Sequence, residues 1–224
     1  MSSLADAIES DLAWREAELG SLKLLAARED QKSVRYRALL RALWCLLYAH
    51  YEGFFKYTWD LYLETIERLA VPRRDATEEL ARFSLKTEFK TMKGDLSDAK
   101  LWSYFTSDFA SWMAQAMTFN CKLETDSNLW PSVARKNLTA VGLPCSVIDA
   151  NELKLSALVT RRNDIAHGKP MVIKTLSDYQ PYEDAAVLAM HELGIAVLES
   201  VESKAYLLPA SVGPPATLTA SPSI

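Results

Sequence analysis

The sequence is poor in the residues that form turns. Its 224 residues include only seven glycines and nine prolines, whereas these two types together make up about 12% of an average protein. Sandwiches and barrels of many short strands need frequent turns, so this composition argues against them. The apolar fraction of 49% and the charged fraction of 24% are ordinary for a globular chain, and the length fits one domain with short additions.

Cysteine is also scarce, and familiar catalytic motifs are missing. The three cysteines, Cys45, Cys121 and Cys145, lie far apart and form no CxxC pair, so neither a disulfide framework nor a zinc site is expected. Reduced thiols in a cytoplasmic protein fit this spacing. The sequence has no P-loop, no dinucleotide-binding glycine motif, no HExxH and no GxSxG. No metal and no cofactor is therefore predicted.

Long apolar runs and an excess of positive charge are absent as well. The most apolar stretch, residues 42–51, is too short to cross a bilayer, which needs about 20 residues. The first residues lack the basic start and apolar segment of a secretory signal, so a cytoplasmic protein without a membrane partner is expected. The formal net charge is −4, so any contact with nucleic acid needs a local basic patch.

Apolar residues recur at steps of three and four along most of the chain, which predicts an all-α fold. The first helix is expected over residues 3–27. A long helix over 32–70 is apolar nearly all round in its middle, which predicts burial on several sides, and Gly53 inside it predicts a close helix crossing. Further helices are predicted over 76–92, over 97–119, from Pro131 to Gly142, from Asp149 to Gly168, and over 182–206.

The same pattern divides the chain into three parts. We predict an N-terminal helix over 1–30, a helical domain over 31–208 and a disordered tail over 209–224. The tail holds no charged residue and four of the nine prolines. Such a composition cannot bury enough apolar surface to fold.

One segment concentrates the polar groups that suit phosphate chemistry. Arg161, Arg162, Asn163 and His167 lie together at a predicted helix end. A guanidinium is always charged and matches phosphate oxygens, and an imidazole moves protons near neutral pH. These groups could cleave RNA without a metal ion, because the imidazole takes the proton of a 2′-hydroxyl and the arginine stabilises the transition state. The products would be a 2′,3′-cyclic phosphate and a 5′-hydroxyl.

The same residues also have a purely structural interpretation. Histidine and lysine near a helix C-terminus interact favourably with its dipole, Gly168 is typical of the residue after the last turn, and Pro170 stops a helix. Arg162 and His167 are five residues apart, so on an ideal helix they point about 140° away from each other. They converge only if the last turn unwinds or if a second copy completes the cleft across a two-fold axis. An obligate homodimer is the hypothesis that follows.

The segment from Arg162 to His167 resembles the Arg-x4–6-His motif of the HEPN superfamily. Residues 47–56, with the sequence LYAHYEGFFK, and the stretch from Asn128 to Leu143 are similar to one bacterial branch, the MAE-like HEPN proteins. The resemblance covers roughly residues 30–206. It implies a helical bundle with a long central helix that dimerises and brings two Arg-x4-His motifs into one cleft. It also implies that Arg162 and His167 are the catalytic pair and that Asn163 is the polar residue beside the arginine.

The resemblance further implies a function. Many HEPN proteins are metal-independent endoribonucleases that act as toxins of toxin–antitoxin pairs or in defence against phage, with RNA as substrate and an antitoxin or defence protein as partner. Some HEPN toxins carry a tyrosine two residues after the histidine, which a partner enzyme modifies, whereas this sequence has Lys169. Other HEPN domains lack nuclease activity, so a catalytically silent module that binds a nucleotide or docks a larger effector is the alternative. An all-α structural protein is the third hypothesis.

Several further residues are weaker candidates for contacts with a substrate. Arg161 and Lys169 flank the motif. Glu52 lies in an apolar helix middle, where a carboxylate needs a partner; this partner is either Lys56, four residues on, or a group in the cleft. His50 is expected to be a core histidine. Two basic groups could guide RNA or simply be solvated: Lys86, Lys90 and Lys93, and Arg35, Arg37 and Arg41. Aromatic residues predicted in the core are Trp102, Tyr104, Phe105, Phe109, Trp112 and Trp130.

Overall fold

The computed structural model describes residues 3–94, 96–120, 122–170 and 173–209. Over these ranges every regular element is a helix and no β-strand is present, so the predicted all-α fold is confirmed. None of the described helices has an apolar stretch that could span a bilayer. Residues 210–224 of the predicted tail lie outside the described residues. The α-helices are α1 Leu4–Ala27, α2 Val34–Arg68, α3 Glu78–Ser84, α4 Lys86–Met92, α5 Asp98–Ser103, α6 Phe109–Ala114, α7 Pro131–Ala140, α8 Ser146–Ala150, α9 Glu152–Ala166 and α10 Leu176–Glu202.

The 35-residue helix α2 is the centre of the bundle. Helices α1 and α10 pack along it and against each other, and α9 packs on both α2 and α10. The apolar middle of α2 is therefore covered on several sides, as its sequence predicts. Its fully buried large side chains are Tyr36, Leu40, Leu43, Trp44, Tyr51, Phe54, Phe55, Trp59 and Tyr62.

Side-chain caps set the starts of the outer helices. Ser3 at α1 and Thr175 at α10 each form a capping box with the aspartate three residues later. Because of this box, α10 begins at Leu176, and the expected start at residue 182 was wrong. Pro181 lies inside α10, where it removes only one hydrogen bond from a helix of 27 residues.

Three helices expected to be continuous are interrupted. A turn at Leu85, whose side chain is buried, separates α3 from α4 within the predicted 76–92 helix. The predicted 97–119 helix contains a π-helical stretch at Tyr104–Asp108 and ends at Ala114. Asn151 separates α8 from α9, so the latter begins at Glu152 rather than at residue 149.

The π-helical stretch also changes which aromatic side chains are buried. An extra residue in a helical turn rotates the following faces away from an ideal α-helix. Phe105 within this stretch and Phe109 after it are 75% and 42% exposed, and Trp102 before it is 72% exposed. The prediction of these three as core residues was wrong. Tyr104 is buried, and Trp112 and Trp130 are half-buried.

Two glycines permit the close approach of α1 to its neighbours. A Cβ atom on Gly53 would lie 2.9 Å from Nη1 of Arg15, which confirms the close crossing predicted at this residue. A Cβ atom on Gly194 in α10 would lie 2.9 Å from Cγ2 of Ile8. Ile8 is buried, and its branched side chain has little freedom to move aside.

Replacement of Gly194 by alanine therefore tests this packing. We expect Gly194→Ala to lower the free energy of unfolding by about 1 kcal/mol or more, because overpacking outweighs the gain in helix propensity. Gly20→Ala is the matched control, since no atom lies within 4 Å of the added Cβ; it should raise the free energy of unfolding by about 0.5–1 kcal/mol. Urea denaturation measures both, and equal effects of the two substitutions would contradict the packing argument.

A buried polar cluster holds α1 against α2. Nε of Arg15 donates to Oδ2 of Asp11 at 2.7 Å, and its Nη1 lies 3.4 Å from Nδ1 of His50. His50 is 3% exposed, so the prediction of a core histidine is confirmed. Its Nε2 lies 2.9 Å from a carboxylate oxygen of Glu18. Burial lowers the pKa of His50 and Arg15 adds to this effect, whereas Glu18 and Asp11 act in the opposite direction.

The lowered pKa of His50 predicts a loss of stability in mild acid. An unfolded histidine has a pKa of about 6.5, so as the pH falls below this value the unfolded chain takes up a proton before the folded chain does. The free energy of unfolding should then decrease as the pH falls from about 6.5. Urea denaturation at neutral and mildly acidic pH measures the decrease, which His50→Gln should reduce. The exposed His191 supplies the control, and equal pH dependence in His50→Gln and His191→Gln would contradict the prediction.

Candidate active site

The candidate site lies at the C-terminal end of α9. The Gly168 N–H donates to the Ile165 carbonyl at 3.0 Å and the Lys169 N–H to the Asp164 carbonyl at 2.9 Å. This pair of bonds is a Schellman motif. Gly168 has a φ of 74°, a left-handed conformation that glycine adopts at little cost. The structural interpretation of this segment as a helix cap is thus confirmed, and His167 is the residue at which α9 ends.

Arg162 is half-buried, and its contacts are with neutral groups. Its Nη1 donates to Oδ1 of Asn128 at 3.1 Å and to Oδ1 of Asn163 at 2.9 Å. Its guanidinium carbon lies 4.7 Å from the centre of the Tyr48 ring. No carboxylate in the described part of the chain pairs with it, and its Nε and Nη2 have no hydrogen-bond partner there. The positive charge of the guanidinium is therefore not balanced by an ion pair, and its Nε and Nη2 donors are available to a ligand.

The imidazole of His167 is exposed. The backbone N–H of this residue donates to the Asn163 carbonyl at 3.0 Å, but its ring has no hydrogen-bond partner among the described residues. The side chain is accordingly accessible to a ligand that approaches the end of α9.

Tyr48 connects α2 with the loop that precedes α7. Its hydroxyl donates to Oε2 of Glu52 and accepts the Leu129 N–H at 3.0 Å. Asn128, the residue before Leu129, is one of the two asparagines that accept from Arg162. Burial and the bond to Glu52 raise the pKa of Tyr48 well above its usual range, so the hydroxyl keeps its proton at neutral pH. Neither Tyr48 nor Asn128 was predicted as a site residue, although both lie in the segments that resemble HEPN proteins.

Arg41 supports the end of α9 from the other direction. Its Nη1 donates to the Lys169 carbonyl at 2.8 Å and its Nη2 to the Ile165 carbonyl at 3.4 Å. A cation at this position stabilises the negative end of the helix dipole. Arg41, Cys45 and Tyr48 lie on one face of α2, three and four residues apart. Burial raises the pKa of the Cys45 thiol, and the charges of Arg162 and Arg41 oppose this effect.

A family model described as MAE_28990-like HEPN matches residues 4–206. The matched region covers most of the chain and contains Arg162, Asn163 and His167. The chain belongs to this HEPN family. No curated protein matches the chain, and no solved structure matches it.

The family match includes α1, which packs against α2 and α10 in this HEPN bundle. The boundary that the sequence analysis drew between residues 1–30 and 31–208 stays a prediction. HEPN domains include ribonucleases and nucleotide-binding modules, and membership of the family is consistent with either role. Within the described ranges, no group of three or more His, Cys, Asp or Glu side chains is arranged to hold a metal ion.

The weaker site candidates of this HEPN chain have partners of their own. Glu52 accepts from Lys56 as well as from Tyr48, so the intrahelical pair is present and Glu52 also lies behind the ring that contacts Arg162. The guanidinium of Arg161 lies 5.4 Å from the centre of the Trp44 ring, and Nζ of Lys169 lies 2.8 Å from Oδ1 of Asp164. Contact of Glu52, Arg161 or Lys169 with a substrate stays a prediction.

The two basic groups predicted on helix faces have different environments. Arg35 lies 3.6 Å from Glu29, and Arg37 donates to the backbone carbonyl of residue 32. Only Arg41 in this group contacts the end of α9. The other group, Lys86, Lys90 and Lys93, lies on and just after α4, where it lines a separate groove.

The hydroxyl of Tyr48 is expected to be important for stability in this HEPN fold. Tyr48→Phe should lower the free energy of unfolding by about 1–3 kcal/mol, because the buried Leu129 N–H loses its acceptor. Tyr57→Phe is the control on the same helix, since its exposed hydroxyl makes only a long bond of 3.4 Å to Ala7; it should cost less than about 0.5 kcal/mol. Urea denaturation compares the two variants, and a Tyr48→Phe protein as stable as the Tyr57→Phe protein would refute the expectation.

Proposed function

We propose that this HEPN protein is a metal-independent endoribonuclease that acts as a homodimer. The observation that carries the proposal is the state of Arg162. Its guanidinium is held by the amide oxygens of Asn128 and Asn163 and is not neutralised by any described carboxylate. An anionic phosphate is the ligand that such a group binds best, and the exposed imidazole of His167 is at the end of the same helix.

In the proposed reaction, His167 acts as general base toward RNA. Its imidazole removes the proton from a 2′-hydroxyl, and the 2′-oxygen attacks the adjacent phosphorus while the bond to the 5′-oxygen breaks. Arg162 stabilises the negative charge of the transition state, Asn163 orients its guanidinium, and the leaving 5′-oxygen takes a proton from water. The products are a 2′,3′-cyclic phosphate and a 5′-hydroxyl. DNA lacks the 2′-hydroxyl and is not a substrate.

The spacing of Arg162 and His167 on α9 supports the proposal of a homodimer. Helix α9 is regular through Ala166, so ideal geometry turns the side chains of Arg162 and His167 about 140° apart. A cleft that contains both groups is completed most simply when a second copy supplies one of them across a two-fold axis. The proposed active site is therefore a composite of two subunits.

A toxin or an anti-phage effector is the biological role that we infer. The family includes ribonucleases, and a nuclease that cleaves cellular RNA needs a partner protein that restrains it. We therefore propose an antitoxin or another defence protein as the partner, with RNA in the cytoplasm as the target.

The proposal predicts cleavage of RNA that survives removal of metal ions. The purified chain should degrade single-stranded RNA in EDTA and leave the matching DNA intact. His167→Ala should slow cleavage by about 100-fold or more, as expected for loss of a general base. His191→Ala is the control, because this exposed histidine lies on α10 and pairs with Glu16. Unchanged cleavage by a folded His167→Ala protein would remove the mechanism.

Mixing two inactive variants tests the composite site. Arg162→Ala supplies an intact histidine and His167→Ala an intact arginine, so their mixed dimers contain one complete site. We expect the mixture to regain a measurable part of the parent activity. Failure to regain activity, or cleavage by a protein that stays monomeric at micromolar concentration, would contradict the dimeric site.

A nucleotide-binding module without catalysis is the second candidate. The net charge of −4 favours it, since an acidic surface disfavours long RNA more than a small nucleotide. If this function is correct, the purified chain cleaves no RNA at any pH and forms a measurable complex with a nucleotide. The Arg162→Ala variant should then lose nucleotide binding.

A further inference from the structure

A basic groove lies between α4 and α7, apart from the candidate site. It has a volume of about 510 Å³, and its walls include Lys86, Lys90, Lys93 and Lys136. Phe89 lies in its apolar lining, together with the buried Phe83. The three lysines on or just after α4 are the basic face that the sequence predicts. The structure adds a fourth lysine from α7 and an aromatic ring to this face.

The charges in the basic groove are not balanced within the protein. Glu124 is the carboxylate that lines it, and it accepts from both Lys86 and Lys136. These bonds lower the pKa of Glu124 to about 2, so the carboxylate is ionised at neutral pH. Lys90 and Lys93 have no ion-pair partner in the described part of the chain. This acidic protein therefore carries a local excess of positive charge at the basic groove, which complements an anionic ligand.

The ring of Phe89 indicates which class of anionic ligand fits the groove. Its side chain is half-buried and makes no stacking contact with another described ring. Cationic side chains beside an aromatic ring are the arrangement by which proteins bind single-stranded nucleic acid, since phosphates contact the cations and bases stack on the ring. A double helix would present its phosphates but not the faces of its bases.

One short loop joins the basic groove to Arg162. The Glu124 N–H donates to Oδ1 of Asn137 at 3.2 Å, and Nδ2 of Asn137 donates to the Glu124 carbonyl at 2.8 Å. These bonds fix the loop against α7 at the groove. Four residues later, Asn128 accepts from Arg162. Four residues span at most about 14 Å, a distance that about four stacked nucleotides also cover.

We propose that the basic groove binds single-stranded RNA a few nucleotides away from the bond that is cleaved. Lys90 and Lys93 contact the phosphates, and Phe89 provides the stacking surface. That the RNA bound in the groove is also the substrate rests on the proposed ribonuclease function. Binding itself does not require catalysis, so the two proposals can be tested separately.

The test measures binding without cleavage. His167→Ala protein is titrated against a fluorescently labelled single-stranded RNA in EDTA, and the affinity is followed by anisotropy at several salt concentrations. Lys90→Ala and Lys93→Ala, introduced together into the His167→Ala protein, should weaken RNA binding. They should also reduce the steepness of log K against log salt by about 1.4, the value for two lost phosphate contacts with a single strand. Phe89→Leu retains an apolar side chain but removes the ring, and it should weaken binding about 5- to 100-fold.

Lys154→Ala with Lys204→Ala is the matched control. Both lysines are exposed and lie outside the groove, so this pair removes the same charge elsewhere. Equal loss of affinity in the control and groove variants, or no RNA binding at all, would overturn the inference. Groove-dependent binding by a chain that never cleaves RNA would support the groove and refute the ribonuclease. Cleavage that depends on His167, with binding unaffected by the groove substitutions, would support only the ribonuclease.

Discussion

The hydrogen bond between the Leu129 N–H and the Tyr48 hydroxyl holds the candidate site together. It connects residues 81 positions apart in the sequence and fixes the loop before α7 against the central helix. Through this loop, Asn128 reaches Arg162 on α9. A buried amide without an acceptor is costly, so the loop has a strong energetic reason to stay in place. The position of the guanidinium is therefore set by the core of the bundle.

The same arrangement keeps carboxylates away from Arg162. Glu52 is the nearby acid on α2, but its oxygens are engaged by Tyr48 and Lys56. The ring of Tyr48 presents its face to the guanidinium, whose carbon lies 4.7 Å from the ring centre, an interaction that holds an arginine without neutralising it. In the basic groove, likewise, the carboxylate of Glu124 is shared by Lys86 and Lys136. The other two lysines, Lys90 and Lys93, have no ion-pair partner among the described residues. An acidic chain thus keeps two local surfaces on which an anion is favoured.

Local signals predicted much of the fold, and tertiary contacts account for the rest. The apolar period was sufficient to place α1 and α2 to within about two residues. The breaks at Leu85 and in the π-helical stretch have no glycine or proline to mark them. The side chains of Leu85 and Tyr104 at these breaks are buried, which a local pattern does not reveal. Arg162 and His167 stand close in the sequence and could be found as a motif. Asn128 could not, since its contact with Arg162 spans 34 residues and leaves no local pattern.

The cap at the end of α9 and the proposed catalytic role of His167 support each other. A helix that continued past His167 would place another turn beside its imidazole. Instead, Gly168 turns the backbone in a left-handed conformation, and Arg41 donates to the carbonyls of Ile165 and Lys169 at this end of the helix. The backbone is therefore rigid at this point while the side chain remains uncovered. Catalysis requires a fixed but accessible base, so the confirmed cap satisfies a condition for the proposed function and is not a competing explanation.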